Sequence, residues 1–584
     1  MIFSQNNTPR MKIYLPEGAV PSQQTASVEL KKYLDRISGG FFQITVQRSD
    51  PSLILASKGQ GYDEAADFDR LGNDGFTLKT MGENLLIAGG CRGILYGVYE
   101  LLEKLGCRFF TPACEKIPTL DIVELPSLDE TQIPIVEYRD HWYRFYNDHP
   151  GFAVKSRING NYPGLDEKLG GHISYAWYVH SFGHILPPDE YYDAHPEYFS
   201  LVDGKRLKER AQPCFTNPDV LAITVEKVKE ALRENPEATI ISVSQNDWQN
   251  PCRCEHCREI DEREGSHAGS LIHFINRVAE AIEPEFPHVI IDTLAYLHTR
   301  PAPMYIRPRH NVCVRLCSIE CCLLHPLNGC DDESRGVKRP DGSVSSFAND
   351  LIDWSKVCDR LYTWDYITDF AHYCMPFPNW RILQQDIRFL TRHNVRGCFE
   401  QGNFSKGDGT DCNELRAYLV SKLLWNPDAD VKALKTEFLA AFYGAAAPFI
   451  NDYLNAVCDN AEKTHTHSSY NTHCDLPYLT DECLDQYEAL FQKAGQAVAG
   501  DPLRLWRVGK ANLSVRYVRL KNDSMRGKID MDAINKFFDD CFGYGLSRVE
   551  EWVTLPRSRQ AMLESVWNGM CYLTNWWEEG GEPR

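Results

Sequence analysis

The sequence predicts an α/β protein, a (β/α)8 barrel of the TIM type with a small N-terminal α/β domain and a C-terminal helical domain. Three observations predict it. From about residue 133 to 404, strand-like runs alternate with helical ones, the pattern of a parallel sheet or barrel, and eight such strand runs can be counted. After Asn413 strand signals give way to long helical segments. At 584 residues the chain exceeds one ordinary domain and leaves room for a barrel plus satellites.

Composition narrows the function classes. A net charge of -19 argues against nucleic acid, because phosphate binding needs a basic face. Hydrophobic content of 43% and charged content of 24% are those of a soluble globular protein. Met1 to Asn7 does not open on a basic and then apolar run, and no apolar span reaches membrane length, so as written the chain reads as cytoplasmic. The odd number of Cys, 21, fits reduced thiols rather than a disulfide scaffold. A secreted or periplasmic chain already relieved of its leader would read the same way.

Residues 1–130 form the first expected domain. Residues 12–15, 53–56 and 85–90 are strand-like, and 22–37 and 92–102 have apolar residues at helical spacing. The glycines around Gly89 spell no dinucleotide fingerprint and read as a tight strand-to-helix turn.

Residues 131–412 form the expected barrel. Its strands centre on 138–145, 153–158, 176–182, 240–244, 289–294, 312–316, 361–364 and 397–399. Each leads into polar or aromatic residues. The first carries Trp142 and Arg144, the second Arg157, the third His180 and His184, and the fourth Asn246, Asp247 and Trp248. Tyr296 and His298 follow the fifth and Glu320 the sixth. The seventh carries Trp364, Asp365 and Tyr366, and the eighth Glu400, Gln401 and Asn403. One such end is ordinary, but eight in succession point to a site at the C-terminal mouth of the barrel. Amides, carboxylates and indoles together suit a sugar, whose hydroxyls take polar partners and whose C–H face stacks on a ring.

Residues 413–584 form the expected helical domain, with helices over 414–425, 431–443, 447–463, 483–498, 503–524 and 531–542. His465 and His467, in Thr-His-Thr-His-Ser-Ser, read as a polar loop ahead of a metal or substrate contact.

Several ordered phrases carry a family resemblance: Gly93-Ile94-Leu95-Tyr96-Gly97-Val98-Tyr99-Glu100, His195-Pro196-Glu197-Tyr198-Phe199, Ser242-Val243-Ser244-Gln245-Asn246-Asp247, Arg315-Leu316-Cys317-Ser318-Ile319-Glu320-Cys321, Trp364-Asp365-Tyr366 and Phe399-Glu400-Gln401-Gly402. Over most of its length the chain resembles the bacterial DUF4838 family, which includes glycoside hydrolase family 163. The layout is also similar to α-glucuronidases and β-hexosaminidases. The resemblance implies retaining hydrolysis of a β-linked, N-acetylhexosamine-containing glycan, in the manner of an endo-β-N-acetylglucosaminidase. The missing export signal departs from an outer-surface role on N-glycans.

Glycosidic cleavage takes one carboxylic acid to protonate the leaving oxygen and a second group to stabilise or attack the anomeric carbon, a place the substrate's acetamido oxygen can fill. Glu320 lies among Cys317, Ile319, Cys321 and Cys322, an apolar surround that raises a carboxyl pKa, so it is the expected general acid. Asp247 suits the stabilising role, and Glu400 either holds sugar hydroxyls or exchanges roles with Glu320. No cofactor is required for this chemistry. Cys252, Cys254 and Cys257 are spaced to converge on a structural zinc, with His256, Cys317, Cys321 and Cys330 as alternatives for a fourth ligand, while buried free thiols are the plainer reading. The competing function classes are a glucuronidase-like or other exo-glycosidase and a carbohydrate-binding protein that keeps the barrel without catalysis. The implied partner throughout is an oligosaccharide, with neither nucleic acid nor membrane.

Overall fold

A computed structural model of the protein describes residues 1–565. Residues 566–584, the end of the expected helical domain, lie outside the described residues.

The N-terminal region holds a six-stranded sheet whose central strands, Ser52–Ala56 and Asn84–Gly89, run parallel and are buried along their whole length. Burial on both faces explains their unbroken apolar character. Leu53 and Leu55 join the main core with the helices Pro21–Ser38 and Gly93–Lys104, whereas Ile54 and Ala56 face a smaller cluster with Tyr62, Phe68 and Leu71. The glycines that follow serve close approach rather than a nucleotide. A Cβ on Gly90 would lie 1.9 Å from the Gly72 carbonyl oxygen, and one on Gly93 2.0 Å from that of Gly75.

The second large sheet has six parallel strands in the order Tyr138–His141, Val395–Gln401, Leu361–Tyr366, Val312–Cys317, Ile290–Ala295 and Ile240–Ser242. Tyr138 and Ile240, from its two edge strands, share one buried cluster with Tyr175, Cys313, Tyr362 and Phe399, so the sheet is curled on itself. At its centre the buried Arg315 pairs with Asp292 at 3.4 Å and lies over the rings of Tyr175 and Tyr178.

Two of the eight expected strands are not strands. Residues 150–155 are the helix Pro150–Lys155, which Pro150 opens because a proline with its fixed φ is pre-set for a first helical turn. Of residues 176–182, those up to Ser181 contribute irregular backbone after a single parallel bridge between Tyr175 and Ile240, and Phe182 opens a short helix. Serine hydroxyls take over part of the ladder there: the His180 N–H donates to Ser244 Oγ at 2.8 Å and the Ser244 N–H to Ser181 Oγ at 3.0 Å. Backbone bonds still run across this gap, from the Asn159 N–H to the Arg139 carbonyl, Ile173 to Asn159, Ala176 to Ile240 and Ser242 to Trp177. What the described residues form is a curled, half-barrel parallel sheet whose remaining arc is filled by loops.

The helical region begins with Asn413–Trp425 and continues through Val431–Tyr443, Ala447–Lys463, Asp481–Ala497, Pro502–Met525 and Met531–Gly543. Asp430, Thr480, Asp501 and Asp530 each cap a helix start by accepting a backbone N–H, which fixes where those helices begin. A short helix, Leu555–Leu563, closes the described chain. The loop before it, residues 544–554, returns to the parallel sheet, where the Glu551 N–H bonds the Phe370 carbonyl at 2.9 Å.

Candidate active site

A cavity of about 500 Å³ opens at the C-terminal ends of the parallel strands. Strand alternation decides which residues reach it. Tyr362, Trp364 and Tyr366 point inward along Leu361–Tyr366, as Phe399 and Gln401 do along Val395–Gln401. Trp142, His180, Asp247, Trp248 and Tyr296 complete the barrel side of the wall. All eight of the lining residues among these were among the candidates read from the sequence.

Asp247 accepts a hydrogen bond of 2.8 Å from the Tyr296 hydroxyl, which orients its carboxylate. Trp364 donates its indole N–H to Gln401 Oε1 at 2.7 Å, and Gln401 Nε2 stands 3.4 Å from Glu551 Oε1. His180 Nδ1 contacts the Gln245 carbonyl at 2.8 Å, and the Trp142 indole stacks on Tyr162 at 4.8 Å. Glu551 and Trp552 supply the far wall with Phe370 and Tyr470. Burial pushes the Glu551 carboxyl up to about 7.

Glu320 stands behind this wall rather than in it. It lines a neighbouring cavity of about 740 Å³ with His298, Gln249 and Leu297. Consecutive residues divide between the two spaces: Trp248, Tyr296 and Ile319 face the first, and Gln249, Leu297 and Glu320 the second. Arg300 donates to Glu320 Oε2 at 3.0 Å while Oε1 is buried without a protein partner. Burial raises the Glu320 carboxyl above its usual range against the pull of Arg300. Burial first holds the Tyr296, Tyr366 and Tyr470 phenols high, and the charge of Asp247 is the next cause at Tyr296 and Tyr470.

Glu400 and Asp365 do not reach the cavity. They are register partners on adjacent strands and point to the opposite face, toward Asp386 of the helix Leu383–Arg392. Burial, and then repulsion within this group, raises the Glu400 and Asp386 carboxyls well above their usual range, and burial raises Asp365.

Six other candidates lie elsewhere, each for a local reason. Arg144 pairs with Asp148 along its own helix at 3.0 Å. Arg157, with φ of 62°, turns to the N-terminal region, where it pairs with Glu100 and covers the Trp425 ring at 4.6 Å. His184 is exposed on the short helix Phe182–Ile185. Asn246 holds the Ala211 carbonyl at 2.9 Å, and Asn403 braces the Tyr373 carbonyl and the Ser405 N–H. His298 is buried in the neighbouring cavity, where desolvation pushes its imidazole down to about 3.

Cys252, Cys254 and Cys257 approach one another, and the fourth member of the cluster is Cys214, not any residue anticipated from the sequence. All four sulfurs lie within 4.8 Å of one another, with Cys214 Sγ 3.7 Å from Cys254 and 4.0 Å from Cys257. Those separations are far beyond a disulfide bond and close to the roughly 3.8 Å edge of a tetrahedron with ~2.3 Å metal–sulfur bonds. The donor set fits zinc. His256 is exposed, and Cys317 lines the mouth cavity.

Sequence reasoning missed Arg210, Leu294, Cys317, Ile319, Phe370, Tyr470, Glu551 and Trp552 of the wall. For Glu551 and Trp552 a signal exists: an acid beside an indole in a loop between two helices, outside either helical stripe.

The family model described as "Domain of unknown function (DUF4838)" matches residues 109–455, so the chain belongs to that family. Residues 4–101 match the model "Glycosyl hydrolase family 67 N-terminus". No curated protein matches the sequence. Among solved structures, a family GH115 4-O-methyl-α-glucuronidase with specificity for decorated arabinogalactans is similar at a TM-score of 0.55 and 14% identity, over 96% of this chain and 77% of that one. A GH138 enzyme targeting pectin rhamnogalacturonan II follows at 0.46 and 10%, over 97% and 99%. A family 89 glycoside hydrolase from Clostridium perfringens, in complex with 2-acetamido-1,2-dideoxynojirmycin, stands at 0.47 and 10%, over 89% and 65%.

Proposed function

We propose that this member of the DUF4838 family is a glycoside hydrolase that cleaves its substrate in the mouth cavity. The observation that carries the reading is Asp247, a carboxylate fixed by Tyr296 inside a cavity walled by Trp142, Trp248 and Trp364. Rings of this kind stack on sugar faces while the carboxylate and amide groups take hydroxyls. The glycosidase reading also draws support from the family 67 N-terminal match and from the glucuronidase-like fold.

In this mechanism Glu320 is the general acid, acting on a leaving group that extends from the mouth past Ile319 into the neighbouring cavity that Glu320 lines. Burial keeps its carboxyl protonated to higher pH, as leaving-group protonation requires. Asp247 stabilises the positive charge that develops at the anomeric carbon, or orients an acetamido oxygen to do so. Gln401 and His180 bind hydroxyls. The substrate is a β-linked, N-acetylhexosamine-containing glycan cleaved with retention, a reading that rests on the family resemblance.

A second reading, a glycosidase for uronic acid residues, is favoured by Arg210, a basic residue that lines the cavity and whose guanidinium would hold a sugar carboxylate. A panel of aryl glycosides separates the two. Turnover of the N-acetyl-β-glucosaminide supports the first and turnover of the glucuronide the second. Binding of a sugar without turnover of any member of the panel would overturn the enzyme reading in favour of a carbohydrate-binding protein.

The four-thiol cluster of Cys214, Cys252, Cys254 and Cys257 is assigned a structural zinc, which would pin the loop after Asp247 and Trp248 to the segment that carries Arg210. Cys254→Ser should release about one equivalent of metal. Metal-free wild-type protein of undiminished thermal stability would defeat the assignment.

A further inference from the structure

A second group of metal-ligand side chains lies on the other side of the site. The loop after the strand Val312–Cys317 carries Cys322, His325 and Cys330, and the loop after the helix Ala447–Lys463 carries His467. One donor atom from each of the four lies within 4.8 Å of all the others. Cys322 Sγ is 3.3 Å from His325 Nδ1, and Cys330 Sγ is 3.6 Å from His467 Nδ1. A tetrahedral zinc with bonds of about 2.3 Å to sulfur and 2.0 Å to nitrogen sets such edges at roughly 3.3–3.8 Å. Thiol-to-imidazole hydrogen bonds would account for two pairs, but not for the convergence of both pairs on one point.

The surroundings of His467 supply an independent observation. While its Nδ1 faces the cluster, its Nε2 stands 3.5 Å from Asp331 Oδ1. A ligating histidine commonly gives its remote N–H to a carboxylate, which fixes the tautomer and leaves the near nitrogen free to coordinate. Asp331 is itself held by His465 Nε2, at 3.1 Å from each carboxylate oxygen.

We propose that Cys322, His325, Cys330 and His467 bind a zinc ion, separate from the four-thiol cluster, that latches the Glu320 loop to the helical region. Two thiols and two imidazoles are a set that zinc fills in structural sites. The latch closes where it matters for the site. Glu320 precedes Cys322 by two residues and Tyr470 follows His467 by three, and the Leu323 N–H bonds the Ser468 carbonyl at 2.9 Å between them. Metal binding thus positions both Glu320 and a wall residue of the mouth without touching substrate.

The test is zinc K-edge X-ray absorption, with elemental analysis, on the full chain purified without chelator. With both sites filled, the average shell holds three sulfurs and one nitrogen with imidazole outer-shell scattering, at about two equivalents per chain. With this site alone filled, the shell is two sulfurs and two nitrogens at about one equivalent. Either result supports the proposal. An all-sulfur shell, or no zinc, overturns it. The Cys330→Ser, His467→Ala double variant should lose about one equivalent and the imidazole signal. Unchanged metal content in the folded double variant also overturns the proposal, and if that variant does not fold, the wild-type spectrum alone decides.

Discussion

The same two strands, Leu361–Tyr366 and Val395–Gln401, present two different sites on their two faces. Inward, Trp364, Tyr366 and Gln401 meet Asp247 and Glu551 across a cavity open to a ligand. Outward, Asp365 and Glu400 meet Asp386 under a helix, in a space of about 10 Å³. Both faces gather carboxylates at strand ends, yet only one offers room for a sugar ring. Position along a barrel strand therefore nominates a residue, and the parity of its place in the strand decides whether it faces substrate or helix.

The largest effect expected from this comparison is kinetic. Glu320→Gln should lower turnover of a natural glycoside by about 10²–10⁴-fold, the range of general acid catalysis, while sparing an aryl glycoside whose leaving group needs little protonation. Asp247→Asn should depress both substrates alike, because transition-state charge at the anomeric carbon does not depend on the leaving group. Steady-state kinetics on the paired substrates reads both. If Glu320→Gln keeps near-normal activity on the natural glycoside, the proton comes from the mouth itself, and Glu551 is the remaining carboxyl there.

On the outward face the expected effect is on stability. Asp365, Asp386 and Glu400 all have carboxyls raised by burial, so the folded state holds protons that the unfolded chain would release. Their stabilising contribution is complete below the unfolded carboxylate range and is lost as pH rises through the raised folded values. Glu400→Gln keeps the shape and removes one charge. It should raise the melting temperature in mildly alkaline buffer more than in mildly acidic buffer while leaving kcat within a few-fold of wild type. Melting curves across pH, with kcat measured alongside, check this. A folded Glu400→Gln protein without activity would erase the distinction between the faces.

Much of this was legible in the sequence because the signals are local. Strand-like runs alternating with helical spacing located the six strands of the parallel sheet and the helices that follow it. Trp142, Asp247, Tyr296 and Trp364 reach the mouth because they follow strands that do form. Arg157 does not, since the strand expected before it is a helix. Glu400 was misplaced by a rule the sequence itself could have corrected: if Phe399 and Gln401 face inward, their neighbour between them faces out. Cys214 had no local signal, and the acid beside an indole at Glu551 and Trp552 carried none that says where in the fold the pair lies. Cys214 joins thiols about forty residues on, and Glu551 approaches Gln401 across 150 residues of chain, a separation that only the folded structure brings together.

The smallest expected effect sharpens the inward face. Glu551 has a carboxyl raised to about 7 by burial, beside Gln401, in the wall opposite Asp247. Below that value it is protonated and donates a hydrogen bond to a neutral sugar. As pH rises through it, the group ionises, donates nothing, and brings a second negative charge toward Asp247. For a neutral substrate, kcat/KM should therefore fall along an alkaline limb with an apparent pKa near 7, by a few-fold at most for one lost hydrogen bond. Glu551→Gln retains a donor at every pH, so the limb should flatten while activity below it changes little. Glu320 is raised by burial too, and the two are told apart by the variant: a limb that persists in Glu551→Gln belongs to Glu320, whose proton the cleavage consumes, and Glu551 is then a wall residue whose ionisation the reaction does not feel.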